Sequence, residues 1–316
     1  MAVIIERKDI QNILPKLKSV SLMEEAFIKY SSGKAIIPPV AELLFENPPG
    51  DVHIKYGYIK EDDFYCIKIA SGFYENSKLG ISSSQGMNLL FNQKTGELKA
   101  ILLDGGDLTN IRTAAAGALV AKYFAPKNIN AIGIIGTGIQ AKLQLQYLQE
   151  HTPCKTVWVW GRSITAVKKY KEELNTDFDI HIAETTSELA KNCNLIITTT
   201  PSETPLLLTK DIQPGTHITA IGSDTENKRE LEGEILKNAD LIISDSIFQS
   251  KTRGEIFRAI KDGVILPENI IELGNAIQTP SLQRTNNQQI TVADLTGLAV
   301  QDIMISTATY KNYING

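Results

Sequence analysis

The feature that most constrains the fold is a glycine-rich stretch in the middle of the chain, Ala131-Ile-Gly-Ile-Ile-Gly-Thr-Gly-Ile-Gln-Ala141. It joins an apolar, strand-like run to a helical pattern and has the form Gly-x-Gly-x-x-Ala. Gly136 permits a tight turn, and Gly138 lets the backbone approach a pyrophosphate. Ala141 allows the helix to pack closely on the strand, so that the N–H groups of the helix N-terminus face the phosphates. The stretch therefore predicts a dinucleotide-binding strand–turn–helix unit.

The sequence before this motif and the sequence from the motif onward have different patterns of apolar residues. From residue 131 onward, short apolar runs alternate with helical segments, which is typical of a parallel sheet covered by helices. These predicted strands lie at 131–136, 156–161, 195–200, 217–222 and 241–246. The first 105 or so residues instead contain alternating, hairpin-like runs and one helical region. We therefore predict an α/β protein: a Rossmann-type, doubly wound parallel-sheet domain plus an α+β domain.

Two helices are predicted near the two ends of the alternating strand–helix region. An alanine-rich helix begins around Asp107 or Thr109, either of which could act as its N-cap, and ends before Pro126. The stretch Val292–Tyr310 has helical spacing of its apolar residues. It is expected either to close the second domain or to return to the first.

Composition excludes several classes of protein. The chain has 316 residues, which fits two domains, and its net charge of −4 argues against a nucleic-acid binder. We found no apolar run long enough to span a membrane and no signal peptide. Three scattered cysteines and four scattered histidines suggest neither a disulfide framework nor a metal site. We expect a cytoplasmic protein without a bound metal.

The end of the second predicted strand bears on the choice between NAD and NADP. An acidic residue about 20 positions after the glycines would bind the ribose 2′-hydroxyl of NAD. This chain has Trp160-Gly-Arg162-Ser163 there instead. Arg162 and Ser163 could hold a 2′-phosphate, although Arg162 could also be a solvated loop residue. We therefore expect NADP(H) to be preferred over NAD(H).

Three charged residues stand out elsewhere in the chain. Lys68 lies in an apolar strand, Arg112 in the first turns of the alanine-rich helix, and Asp224 just after a predicted sheet strand. A buried ammonium is costly unless it meets a negative partner, and ligands of open α/β sheets bind at the carboxyl ends of the strands. Taken singly, each residue also has a structural interpretation, as an edge, surface or turn residue.

Together, these residues lie in blocks that resemble a known family. The blocks YCIKIASGFYEN, DLTNIRTAAAGALVAKYFAP, IGIIGTGIQA, AIGSDTENKREL and DLTGLAVQDIMISTATY are similar to those of the ornithine cyclodeaminase/mu-crystallin family, in the same order. The resemblance implies a nicotinamide cofactor and a small α-amino or α-imino acid as substrate. It implies that Lys68 and Arg112 bind the substrate carboxylate and that Asp224 handles protons at the substrate nitrogen. Ser83 falls where many members have a substrate-contacting threonine.

One departure from the family pattern affects the choice of reaction. Many members carry an arginine just after the paired prolines, where this chain has Val40; Lys55 could substitute as a cation or be a solvent-facing lysine. We therefore favour a reductase of cyclic imino acids, of the Δ1-pyrroline-2-carboxylate to proline type. The alternatives are an NAD-dependent ornithine cyclodeaminase, an alanine dehydrogenase-like enzyme, and a mu-crystallin-like binder of small ligands without enzymatic activity.

The resemblance also implies the domain organisation and the partners. We expect residues 1–120 and 293–316 to form a discontinuous substrate-binding and dimerisation domain, with the Rossmann domain at 121–292 and a homodimer as the assembly. No nucleic acid and no membrane is expected as a partner. The expected cofactor contacts are at the glycine turn and at three strand ends: Gly136, Thr137, Gly138, Ile139, Gln140, Arg162, Ser163, Thr200, Gly222 and Ser223.

Overall fold

The computed structural model describes residues 2–73 and 75–316, and the chain divides into two compact units. The first unit holds Met1–Arg112 together with Leu298–Gly316, and the second holds Thr113–Gly297. The strands are β1 (Val3–Ile5), β2 (Ala35–Ile36), β3 (Ala41–Glu46), β4 (Pro49–Ile59), β5 (Phe64–Phe73), β6 (Ser84–Asn92), β7 (Leu98–Leu102), β8 (Ile132–Ile135), β9 (Thr156–Trp160), β10 (Asp179–Ile182), β11 (Leu195–Thr198), β12 (His217–Ala220), β13 (Leu241–Ser244), β14 (Ile270–Glu272) and β15 (Thr291–Asp294). The helices are α1 (Arg7–Ile13), α2 (Ser19–Ser31), α3 (Asp107–Phe124), α4 (Ile139–Leu148), α5 (Ile164–Leu174), α6 (Thr186–Asn192), α7 (Gly233–Lys237), α8 (Gly254–Lys261), α9 (Leu273–Gln278) and α10 (Ala299–Asn315).

The first unit is a mixed sheet with helices packed on it. Its strands follow the order β1-β7-β6-β5-β4-β2, with β3 paired to the same edge of β4 as β2. The pairs from β4 to β7 are antiparallel, whereas β1 runs parallel to β7. Helix α10 packs on α2, β4 and β5, although more than 200 residues separate it in sequence from those elements. This unit is therefore discontinuous in sequence.

The second unit has the Rossmann architecture. In the described part of the chain, its sheet has the order β10-β9-β8-β11-β12-β15-β13-β14, and all neighbouring pairs are parallel. The chain runs outward from β8 to β9 and β10 on one side, and from β11 to β12 on the other. The strand order thus reverses between β8 and β11. Ligands of open α/β sheets bind at the carboxyl ends of the strands at such a reversal.

The predicted α/β fold is confirmed. The five strands that were predicted from residue 131 onward correspond to β8, β9, β11, β12 and β13. One element was predicted wrongly. The stretch Val292–Tyr310 was expected to be helical throughout, but Thr291–Asp294 forms β15, which lies between β12 and β13 in the sheet. Helical spacing over four residues cannot be distinguished from a short buried strand, so periodicity misplaces the start of α10.

The start of α3 also differs from the prediction. The carboxylate of Asp104 accepts a hydrogen bond from the N–H of Leu108 at 3.0 Å, so Asp104 does the capping expected of Asp107 or Thr109. The carboxylate of Asp107 instead binds the side chain of Arg7. Gly105 and Gly106 both have positive φ, which turns the chain so that Asp104 reaches back to the helix.

The unit boundaries lie at 112/113 and 297/298, rather than at the predicted 120/121 and 292/293. The first difference arises because α3 continues without interruption from the first unit into the second, so that no turn signal marks the boundary. The second arises because β15 belongs to the parallel sheet. No helix among the described residues is both long and apolar enough to cross a bilayer.

Candidate active site

The glycine turn lies between β8 and α4, as the motif predicts. Gly136 has φ +122°, and a Cβ atom built on it would lie 2.4 Å from the Oγ1 of Thr199, so a larger residue does not fit. Gly138 is the N-cap of α4 and provides no side-chain cap, and a Cβ built there would meet nothing within 4 Å. The N-terminus of α4 therefore has open space beside Gly138, and the helix dipole favours an anion there.

A cavity of about 300 Å³ adjoins this turn at the carboxyl ends of the strands. It is lined by Gly136, Thr137, Gly138, Trp160, Gly161, Arg162, Ser163, Thr199, Thr200, Pro201, Ser202 and Leu206. Six of the predicted cofactor residues are in this lining. Of the other four, Ile139 and Gln140 lie in the first turn of α4, while Gly222 and Ser223 follow β12. The cradle fits a dinucleotide, because it combines close backbone approach at Gly138 with the positive end of the α4 helix dipole.

The end of β9 brings a cation to the cavity. Arg162 is exposed and contributes to the lining, and the Oγ of Ser163 accepts a hydrogen bond from the N–H of Ala166 as the N-cap of α5. None of the described residues that line the cavity is acidic. The lining therefore provides a guanidinium, but no carboxylate for a ribose 2′-hydroxyl.

The first unit brings Lys68 and Arg112 to one buried carboxylate, that of Asp302 on α10. The Nζ of Lys68 lies 3.2 Å from each oxygen of Asp302, and the Nε of Arg112 lies 3.3 Å from Oδ1. The three residues are 2%, 6% and 2% exposed. The structure thus places two of the predicted site residues together and adds an acidic partner that the sequence analysis did not identify.

The sheet register places two more polar residues beside Lys68. Lys55 on β4 lies directly opposite Lys68, and Asn88 on β6 lies opposite Lys68 on the other side. Both are buried, and Lys55 is close enough to Asp302 for its charge to contribute to the lowered pKa of that carboxyl. Like charges directly opposite each other on paired strands repel, so the Lys55–Lys68 pair is stabilised by the carboxylate of Asp302. Lys55 is therefore a buried member of the cluster and not a solvent-facing lysine.

The pKa values in this cluster follow from burial and from the crowded charges. Burial alone would raise the pKa of Asp302, but the charges of Lys68 and Arg112 hold it below its ordinary value. Burial lowers the pKa of Lys68, and Asp302 partly opposes that shift. Burial also raises the pKa of Asp104 to about 6, although Lys68 and the Leu108 N–H favour its ionised form.

Some buried polar atoms of the cluster lack hydrogen-bond partners among the described residues. Two such buried atoms are the Nδ2 of Asn88 and the Oδ1 of Asp104. The charges of Lys68, Arg112 and Lys55 lower the pKa of Asp302, and the charge of Lys68 also favours the ionised form of Asp104. Cations gathered in a buried position can bind a small anion.

The structure places Asp224 in the loop that follows β12, in the second unit. Its side chain is 43% exposed, and its Oδ1 accepts a hydrogen bond from the Nζ of Lys228 at 2.6 Å. The same loop is closed by a second bond, from the Oγ of Ser223 to the carbonyl of Lys228. The sequence analysis did not identify Lys228 as the partner of Asp224.

Ser83 is not brought into the cation cluster by any described contact. It is partly buried, lies one residue before β6, and its carbonyl accepts a hydrogen bond from the N–H of Phe73. Its proposed substrate contact remains a prediction.

The sequence contained a signal for Asp302 that was not used. Asp302 lies among Val300, Ile303 and Ile305 in a helical stretch that is buried along most of its length. An acid within such a stretch is costly unless it meets a cation, which points to a partner elsewhere in the chain. Asp104 gave no comparable signal, because a turn acid beside two glycines is ordinarily a helix cap. The described residues contain no group of acids, histidines and cysteines able to hold a metal ion.

Comparisons with known proteins agree with this arrangement. The model of the ornithine cyclodeaminase/mu-crystallin family matches residues 2–316. An uncharacterized cyclodeaminase of Sinorhizobium fredii is 35% identical, over 98% of this chain and 95% of its own. A solved archaeal alanine dehydrogenase dimer with bound NAD is 31% identical, with a TM-score of 0.90 over 99% of this chain and 96% of that one. The Δ1-pyrroline-2-carboxylate reductase of Thermococcus litoralis, solved with NADH and L-proline, is 27% identical, with a TM-score of 0.91 over 100% and 98% of the two chains. The chain belongs to the ornithine cyclodeaminase/mu-crystallin family.

Proposed function

We propose that the protein is an NAD(P)H-dependent reductase of small cyclic imino acids, which converts a ring C=N bond next to a carboxylate into the amine, as in Δ1-pyrroline-2-carboxylate to proline. The observation that carries this proposal is the buried cluster that brings the cationic side chains of Lys55, Lys68 and Arg112 together around Asp302. A substrate carboxylate is the anion that such a cluster binds best.

Arg112 and Lys68 have different roles towards that carboxylate. The guanidinium of Arg112 offers a planar fork that can donate two hydrogen bonds to one carboxylate, whereas the Lys68 ammonium adds a point charge. Asp302 holds both cations in place. Because the carboxylate is fixed at two points, the C=N carbon beside it is oriented for the reaction, and orientation accounts for much of the rate gain in such reactions.

Asp224 is the proposed proton-handling group. A bound nicotinamide supplies the hydride that reaches the C=N carbon. The nitrogen must gain a proton in the same reaction, and a partly exposed carboxylate can deliver it directly or through water. The exposure of Asp224 allows it to recover a proton from solvent, and Lys228 fixes the position of its Oδ1.

For the cofactor, we propose a preference for NADPH over NADH. This proposal rests on Arg162, whose guanidinium lies at the cavity and can pair with a 2′-phosphate. The absence of an acidic residue from the described lining supports it, because a carboxylate there would repel that phosphate. The solved relatives carry NAD and NADH, so the test must compare both cofactors in this chain.

An ornithine cyclodeaminase is the second candidate, favoured by the similarity to the uncharacterized cyclodeaminase of Sinorhizobium fredii. It would use the same carboxylate cluster and would release ammonia from ornithine while NAD is regenerated. The partly buried Val40 occupies the position at which many family members provide an arginine. We therefore rank the reductase first.

We also propose that the first unit forms a homodimer. All six residues of β3 are exposed, including Leu43 at 55%, Leu44 at 76% and Phe45 at 43%. An exposed apolar edge strand promotes aggregation unless a partner covers it, and a second copy of this chain would cover it. A relative has been solved as a dimer. Two of the three free cysteines are buried, which is compatible with the cytoplasmic location that we propose.

The proposed activity is tested by following the oxidation of NADPH and NADH with Δ1-pyrroline-2-carboxylate and Δ1-piperideine-2-carboxylate. We expect turnover with at least one of these acids, and at least about a hundredfold lower kcat/KM with 1-pyrroline, which has no carboxylate. Absence of turnover with every acid would contradict the reductase. Release of ammonia and proline from ornithine and NAD⁺ would then identify a cyclodeaminase.

A further inference from the structure

The second unit contains a buried carboxylate, that of Glu230, for which the proposed reaction has no use. Glu230 is 0% exposed and lies in the segment that follows the Asp224 loop. Its Oε1 accepts hydrogen bonds from the N–H of Thr200 at 2.6 Å and from the hydroxyl of the same residue at 2.7 Å. Its Oε2 accepts from the hydroxyl of Thr198 at 2.7 Å and from the N–H of Gly222 at 2.9 Å. One carboxylate therefore joins the loops that follow β11 and β12.

The close approach of these two loops leaves no room for variation at the junction. A Cβ atom built on Gly222 would lie 2.1 Å from the carbonyl oxygen of Thr200 and 2.5 Å from the Oε2 of Glu230. The two strands are neighbours in the sheet, and Thr198 pairs in register with Ala220. The Glu230 carboxylate thus fills the space where the chain leaves both strands.

The backbone around Glu230 holds a further part of the same wall. The carbonyl of Glu230 accepts a hydrogen bond from the N–H of Leu206 at 2.7 Å, and the N–H of Arg229 donates to the carbonyl of Ser202 at 2.6 Å. Thr200, Ser202 and Leu206 all line the cavity beside the glycine turn. The side chain and backbone of this segment therefore fix the cavity wall from Thr200 to Leu206.

We propose that Glu230 is a positioning residue for the dinucleotide: its ionised carboxylate ties the loop after β11 to the loop after β12 and so holds the cavity wall in its binding shape. The inference rests on the proposed function, since it takes the cavity as the dinucleotide site. Glu230 itself lies outside the lining, so it acts through Thr200 and Gly222 and not by contact with the cofactor.

The Glu230 carboxyl must stay ionised for this role, so that both of its oxygens accept hydrogen bonds. Each oxygen accepts one backbone N–H, and a backbone N–H can only donate. Protonation of either oxygen therefore weakens one of the two loop attachments. Burial raises the pKa of Glu230 to about 7, against the effect of its four hydrogen bonds. The attachment should thus be lost progressively as the pH falls through neutrality.

Other titratable groups face Glu230 and must be separated from it in the test. The carboxylate of Glu255 on α8 accepts the N–H of Glu230 at 2.6 Å. Burial, followed by the charges of Asp294 on β15 and of Glu230, raises the pKa of Glu255, and the charge of Glu230 also raises the pKa of Asp294. Among the described residues that line the cavity, Arg162 alone is ionisable, and a guanidinium keeps its charge throughout this range. A change in affinity between pH 6 and 8 would therefore arise from the groups behind the wall.

The test measures the Kd of NADH for the wild-type protein and for Glu230→Gln between pH 6 and 8. NADH is the suitable probe because it lacks the 2′-phosphate, which itself titrates near pH 6. For the wild type, we expect the Kd to rise about tenfold as the pH falls from 8 to 6. For Glu230→Gln, we expect a Kd about tenfold above the wild type at pH 8 and no further change with pH. The buried control Asp294→Asn should keep the wild-type Kd at pH 8 and should retain a dependence of the Kd on pH.

A second variant serves if Glu230→Gln does not fold. Thr198→Val removes one hydrogen bond from the Glu230 carboxylate and leaves the cavity lining unchanged. Because hydrogen bonds to the ionised form lower a carboxyl pKa, its loss should move the midpoint of the NADH profile upward by about one pH unit. A purely structural role would not move that midpoint.

The inference is overturned if Glu230→Gln binds NADH with the wild-type Kd and pH profile, or if Thr198→Val leaves the midpoint in place. It is also overturned if Asp294→Asn abolishes the pH dependence while Glu230→Gln retains it. Failure of the wild-type protein to bind NADH at any pH between 6 and 8 would overturn the proposed cofactor and this inference together. That outcome is distinct from binding without pH dependence, which would overturn the inference alone.

Discussion

The Nζ of Lys68 lies 3.2 Å from both carboxylate oxygens of Asp302, in a part of the first unit where both side chains are almost completely buried. Asp302 also forms an ion pair with Arg112, and the charge of Lys55 contributes to its lowered pKa. Asp302 is thus the acid that contacts both Lys68 and Arg112, and its removal should lower the stability of the protein strongly.

We expect Asp302→Asn to lower the free energy of unfolding by about 3–5 kcal/mol at pH 7, because buried cations would lose their counter-charge. Urea unfolding monitored by circular dichroism measures the change. The control is Asp63→Asn, which breaks an exposed pair with Lys311 and should cost no more than about 1 kcal/mol. Equal effects for the two variants would show that the buried cluster does not depend on Asp302.

Arg112→Lys keeps the charge but removes the planar fork. We expect kcat/KM for Δ1-pyrroline-2-carboxylate to fall by about 10²-fold, with the Kd for NADH unchanged. Arg7→Lys is the matched control, since Arg7 also donates two hydrogen bonds to a carboxylate, that of Asp107, but is 55% exposed. Steady-state kinetics of the two variants decide the point, and an unchanged kcat/KM for Arg112→Lys would remove Arg112 from carboxylate binding.

Asp224→Asn should reduce kcat by about 10²-fold or more and leave cofactor binding intact, because a positioned general acid commonly contributes that much. The control Asp262→Asn alters a carboxylate of the same unit with the same 43% exposure, which is likewise paired with a cation, Arg229. It should retain wild-type turnover. A wild-type rate for Asp224→Asn would exclude Asp224 from proton handling.

Arg162→Ala should weaken the binding of NADPH by about tenfold or more and change the binding of NADH much less. Lys168→Ala removes the same charge from an exposed position of α5, outside the cavity lining, and should leave both affinities unchanged. Titrations that follow cofactor fluorescence measure the four constants. Equal losses for the two cofactors in Arg162→Ala would contradict the proposed 2′-phosphate contact.

The stability of the second unit should decrease as the pH rises from 5 to 9. Burial raises the pKa of Asp294 from 3.8 to about 8, so the folded protein retains a proton that the unfolded chain has already released. Since the unfolded state binds fewer protons over this range, the free energy of unfolding falls with rising pH. Asp294→Asn should flatten that dependence, whereas the exposed control Asp262→Asn should not. Thermal unfolding across the pH range measures both, and parallel curves for wild type and Asp294→Asn would contradict the assignment.

The parts of the site that the sequence predicted are those determined by local chemistry. The turn at Gly136 requires glycine because its backbone has φ +122°, a local constraint, so the position of the turn could be predicted. The start of α3 could not, because the choice among Asp104, Asp107 and Thr109 depends on the turn at Gly105 and on the position of Arg7.

The parts that were missed depend on contacts between distant segments. Asp302 acquires its role from Lys68 and Arg112, which lie on other elements, and nothing in its own neighbourhood specifies those partners. The same holds for Glu230, whose four donors come from the ends of two strands. Spacing along the chain does not reveal such clusters, although a buried acid in an apolar stretch indicates that a partner exists.

The distance along the chain between Lys68 and Asp302 has a consequence for biosynthesis. The ribosome makes the strands and the start of α3 more than 180 residues before it makes α10. During that interval Lys55, Lys68 and Arg112 have no Asp302 to face, so their common burial is unfavourable in the nascent chain. The parallel sheet of the second unit, by contrast, is complete once Asp294 has been added. We therefore expect the second unit, Thr113–Gly297, to fold first on the ribosome, and the cluster of Lys55, Lys68 and Arg112 to form only when α10 has been made.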